Sequence, residues 1–124
     1  MKIIEAINRI DALKPNNYTN EDKVRWLSDL DGIIKSEIID THEEGSYVSY
    51  RKYDNETDIA NTELLVPAPH EDIYIKWLEA KIDYANAEYG KYNNSSAAYN
   101  TAYANFERHY NRLHKPIQKT LKFF

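Results

Sequence analysis

No cysteine occurs in the 124 residues, so neither a disulfide framework nor a thiolate metal site is open to this chain. Glycine is nearly as scarce, at 3 residues, which leaves few places for the left-handed backbone that tight β-hairpins need. No apolar run approaches the roughly 20 residues that span a bilayer. Glycine-rich phosphate loops and nucleophile elbows are missing as well. The four histidines are His42, His70, His109 and His114. His109 and His114 stand five apart, off the i, i+4 spacing that sets two ligands on one helix face. Excess positive charge is also lacking: the net charge of −4 excludes the whole chain as an electrostatic nucleic-acid binder. The sequence therefore predicts a protein with no catalytic residues, cofactor or metal. Glu5 and Asp11 interrupt the apolar start MKIIEAINRIDALK, where an export signal carries no acids, so a cytosolic protein is expected.

What is present is helix-forming pattern and tyrosine. At this length one domain is expected, spanning residues 1–124, with an all-α fold of about four helices. Ile3, Ile7 and Ile10 recur at helical spacing and predict a helix over 2–13, closed by Lys14-Pro15. Thr19 or Asn20 suits the N-cap of a second helix over 20–41, with Asp22 three residues after Thr19. Val24, Leu27, Ile34 and Ile38 form one face of it, and Gly32 lies inside it. A third helix is predicted over 71–91, with Glu71 and Asp72 in its first turn and a stripe of Ile73, Trp77, Leu78, Ile82 and Ala85. Gly90 reads as its cap, and Asn93 or Asn94 as the cap of a fourth helix over 95–113. One long helix bent at Gly90 is the competing reading.

Residues 43–69 read as a long middle loop, with room for a short hairpin around Tyr47–Tyr53. Between Glu37 and Asp72 there are ten acidic residues against two basic ones, Arg51 and Lys52. The run Leu64-Leu65-Val66-Pro67-Ala68-Pro69 reads as an extended strap packed on the core.

Tyrosine reaches 11 residues against 3 phenylalanines. Tyr92, Ser96, Tyr99, Tyr103, Phe106, Tyr110 and Leu113 follow alternating four- and three-residue steps, one side of a helix. Tyrosine offers apolar area with a hydroxyl that reaches water or a partner, so such a seam serves core and interface together. The tail 115–124 is apolar and basic, and docks either on its own domain or on another subunit. Tyr99, Tyr103, Phe106, Tyr110, Ile117, Leu121, Phe123 and Phe124 are therefore the candidate protein-interface residues. Stacking on single-stranded nucleic acid needs interleaved cations, and only Lys91, Arg108 and Arg112 lie near the seam.

The segments RWLSDLDGIIKSEIIDTHE (25–43), LLVPAPHEDIYIKWLEAKIDYANAEYGKYNNS (64–95) and YNTAYANFERHYNRLHKP (99–116) look like small proteins of phage and prophage structural gene clusters in Gram-positive bacteria. Over nearly its full length the chain resembles the head–tail connector, or head-completion adaptor, family of tailed bacteriophages. The likeness lies in overall pattern, since that family has no short diagnostic motif. The resemblance implies a helical protomer, found in host cytoplasm during assembly and in the virion neck afterwards. It implies docking on the portal protein and contact with tail and neck proteins. It also implies self-association into a ring of about twelve copies around DNA that passes through without specific binding. It implies no membrane partner and no catalytic residue. Two other classes stay open on the residues alone. One is a small helical regulatory or nucleic-acid-binding module of a mobile element. The other is a minor enzyme or enzyme inhibitor, which a deep pocket with converging charges would mark.

Overall fold

Isoleucines at helical spacing on one face build the first element, and the same logic repeats along the chain. The structure, a computed structural model, describes residues 1–117. It is all-α. Five helices follow in order: α1 (Ile3–Leu13), α2 (Asn20–Glu37), α3 (Asn55–Asp58), α4 (Asp72–Ala85) and α5 (Tyr89–Leu113). All but α3 are longer than two turns, and no β-strand forms among the described residues. Ile3, Ile7 and Ile10 of α1, Leu27, Leu30 and Ile34 of α2, and Ile73, Leu78 and Ile82 of α4 share one core. Burying each such side chain contributes roughly 1.5–3 kcal/mol.

Local chemistry sets the ends. Thr19 caps α2, its hydroxyl accepting from the Asp22 amide at 3.1 Å. The helix stops at Glu37, short of the expected Thr41, because Ile39–Thr41 tighten into a 3-10 turn. There the Thr41 hydroxyl donates to the Ile38 carbonyl at 2.6 Å. Such local side-chain bonds compete with the helical ladder.

The middle segment departs from the expected loop. Gly45–Tyr47 forms a second 3-10 turn and α3 a single α-turn, and the short hairpin that the loop has room for around Tyr47–Tyr53 does not form. Side-chain bonds to α2 explain the difference. The Tyr50 hydroxyl donates to the Ser28 carbonyl at 2.5 Å, and the Tyr53 amide donates to the Ser28 hydroxyl at 3.0 Å. Gly32 gives the Tyr50 ring room, since a Cβ there would lie 3.3 Å from it. Asp54 caps α3 by accepting from the Glu56 amide at 2.7 Å. Arg51 then clasps Asp58 with two hydrogen bonds, at 2.8 and 2.5 Å.

The strap forms as the apolar run implies, with Leu64 and Val66 buried. Its backbone is held by Asp31, a buried carboxylate of α2. Asp31 accepts from Tyr74 at 2.6 Å, from Tyr53 at 2.5 Å and from the Leu65 amide at 3.0 Å. The Tyr74 hydroxyl in turn accepts from the Val66 amide at 2.7 Å. One side chain thus joins α2, the middle segment, the strap and α4.

The last two helices are separate. α4 ends at Ala85, and the chain turns through Asn86–Glu88 with Ala87 in the left-handed region at φ 57°. Gly90 is neither a cap nor a bend. It lies in the first turn of α5, which starts six residues before the expected position 95. Ser95 and Ser96 accordingly sit inside the helix, not at its start, and donate to the carbonyls of Tyr92 and Asn93 at 3.3 Å.

Candidate interaction surface

Helix α5 runs antiparallel to α4, as two aromatic contacts between them and a third from His70, just before α4, record. Tyr84 meets Tyr92 with ring centroids 5.2 Å apart, Trp77 meets Tyr99 at 4.9 Å, and His70 meets Phe106 at 5.9 Å. At 1.5 Å per residue its 25 residues extend about 37 Å. Over that length only Ser95 and Phe106 are fully buried. Most of the helix therefore touches its own domain along one edge and presents the rest outward.

The tyrosine seam divides into two halves. The C-terminal half is set into the fold. Phe106 is 2% exposed and belongs to the core. Tyr103 donates to Glu37 at 2.7 Å, and burial followed by that carboxylate raises its hydroxyl pKa. Tyr110 packs edge-on against the buried His42 at 4.7 Å and stacks on His114 at 4.1 Å. Beyond it the chain doubles back: the Glu43 amide donates to the Lys115 carbonyl, and the Ile117 amide to the Thr41 carbonyl at 2.8 Å. Ile117 itself is exposed. Leu121, Phe123 and Phe124 lie outside the described residues.

The N-terminal half opens into a groove. Trp77, Ala80, Lys81 and Tyr84 of α4 face Tyr92, Ser96, Tyr99 and Asn100 of α5 across a cleft of about 510 Å³. Trp77 is fixed at its base by donating from Nε1 to the Trp26 carbonyl at 2.8 Å. Lys81 lies over the Trp77 ring, 4.6 Å from its centre. Tyr84 is 60% exposed on the rim, beside Tyr89. The phenol of Tyr99 is pushed up to about 12 by burial and by Glu37, so it remains a neutral donor. Rigid aromatic walls with a few polar groups and one cation suit a docked chain.

Of the expected interface residues, the fold brings Tyr99 to this groove and Tyr103, Phe106 and Tyr110 to the seam below it. Sequence reasoning placed Trp77 in a buried stripe and did not single out Lys81 or Tyr84. Their i, i+4, i+7 spacing on α4 was the available signal.

Three of the histidines, His42, His70 and His109, pack within the fold. His42 lies buried between the Ile38 carbonyl, 2.6 Å from Nδ1, and Asn111, 2.8 Å from Nε2. His70 packs on His109 with centroids 4.5 Å apart; burial, then His109 and Arg112, lower its pKa. Among the described residues, no group of three or more His, Asp or Glu side chains is placed to hold a metal ion. No helix of the described residues is long and apolar enough to cross a membrane. No protein-family model, curated protein or solved structure matches this chain.

Proposed function

We propose that this chain is a structural assembly protein of the head–tail connector class, one that docks on a portal ring, joins sister copies in the neck of a virion and performs no catalysis. The observation that supports this reading most is the α4–α5 hairpin. A 25-residue helix with two buried positions and an open aromatic groove is built for contact with another protein. The charge pattern agrees. Glu37, Asp40, Glu43, Glu44, Glu56 and Glu63 are all exposed, and an acidic surface lets DNA pass without phosphate contacts.

The test takes the portal protein of the phage or prophage to which the proposal assigns this gene and mixes it directly with the chain. Negative-stain electron microscopy is expected to show portal rings carrying an added layer of density on one face. Bare rings after incubation at micromolar excess would remove the proposal.

A further inference from the structure

Three tyrosines stand in the middle segment at 47, 50 and 53, and the fold uses two of them. Tyr50 bonds to Ser28 and Tyr53 to Asp31. Tyr47 is 86% exposed, more than any other large apolar side chain among the described residues. A 3-10 turn holds it out, and that turn is anchored by the Lys35 ammonium donating to the Gly45 carbonyl at 2.9 Å. The exposed acids Asp40, Glu43 and Glu44 lead into the turn, beside Lys35, Lys115 and His114 of the same chain. An exposed ring on a backbone-anchored turn edged by carboxylates has the form of an interface anchor.

The α4–α5 groove has the complementary character. Trp77, Tyr84, Tyr92 and Tyr99 provide ring faces and edges, and Lys81 is the single charged residue of the lining. The knob and the groove lie at opposite ends of α5. Glu44 reaches His114 at 3.2 Å, whereas the groove surrounds Tyr92 to Asn100. Tyr99 and His114 are about 22 Å apart along the helix. A molecule of this shape cannot fill its own groove with its own Tyr47 turn.

We propose that the Tyr47 turn of one copy seats in the α4–α5 groove of a second copy, joining molecules head to tail. Tyr47 packs among the four rings, and Glu43 and Glu44 approach Lys81. Two different patches meet in such a contact, so it leaves a free knob at one end and a free groove at the other, and it propagates to a closed ring or a filament. The inference rests on the assembly reading above and names the contact through which copies meet.

Sedimentation of the full chain over about 5–500 μM provides the test, with Tyr47→Ser and Tyr84→Ala as variants. Both side chains are largely exposed, so both variants keep the fold. The wild type is expected to gain mass with concentration, and more so at low salt. Each variant alone should associate at least about tenfold more weakly. Mixed one to one, the two variants should give a dimer and stop there, because one supplies the intact groove and the other the intact knob. Wild-type chain that stays monomeric throughout, Tyr47→Ser chain that assembles like wild type, or a mixture that fails to dimerise would each overturn the contact. A refuted contact with portal binding retained leaves the assembly reading standing. Self-association without portal binding would leave the contact and remove that reading.

Discussion

Asp31 accepts three hydrogen bonds and forms no salt bridge among the described residues. Burial pushes its carboxyl above the usual 3.8, against the pull of hydrogen bonds from Tyr53, Tyr74 and the Leu65 amide. Its side chain therefore serves as an acceptor that ties the strap and the middle segment to α2. Replacing it with asparagine turns one acceptor oxygen into a donor facing other donors. The Asp31→Asn variant should lose about 2–3 kcal/mol in a denaturant titration, since buried donors are left unpaired. Asp58 behaves oppositely, because the Arg51 guanidinium and the Asp54 amide hold its carboxyl down at about 2. The folded state binds the Asp58 proton less tightly than the unfolded chain does. Its contribution is thus complete above pH 4 and disappears as the pH falls toward 2. For Asp31 the sign reverses: its proton is favoured in the folded state, so its contribution weakens as the pH rises above 3.8. Urea unfolding at pH 5 and pH 2.5 should show a smaller acid loss in Asp58→Asn than in wild type. Equal losses in both would remove this assignment.

At the scale of elements, the break between α4 and α5 makes a further prediction. Ala87 holds a left-handed backbone that costs an L-residue about 1–2 kcal/mol, while Gly90 sits in a helix where alanine is better by about 1 kcal/mol. Ala87→Gly and Gly90→Ala should each stabilise the chain by about 0.5–1 kcal/mol, raising Tm by a few degrees. A lowered Tm in either variant would contradict the placement of this turn. The same stretch shows what was legible in the sequence. Ile3, Ile7 and Ile10, the Thr19 cap and the Glu71-Asp72 start placed three helices near their observed beginnings. The reading failed at 86–91 because glycine marks left-handed turns in sequence, and here an alanine takes that conformation three residues before the glycine. It also left room for a short hairpin around Tyr47–Tyr53, because nothing local reveals that Tyr50 and Tyr53 bond to side chains and carbonyls of α2. The Asp31 hub was equally hidden: its bond to Tyr74 spans 43 residues. The groove was half legible, since the periodicity of α5 announced Tyr92 and Tyr99, but which face of α4 would meet them depended on the turn.

For the whole molecule, the account divides the surface of α5 between two uses. Its C-terminal half closes the domain through Phe106, Tyr103 and Tyr110, and its N-terminal half lines the open groove that the proposal gives to another protein. Under the proposed function that division gives the exposed aromatic surface to assembly. On the proposed function the gene belongs to a phage or prophage, and quantitative mass spectrometry on its purified particles tests the claim most directly. The account predicts the chain in finished virions in about equal number with the portal subunit, as a ring stacked on a ring requires. Virions that are infectious and contain none of it would contradict the account.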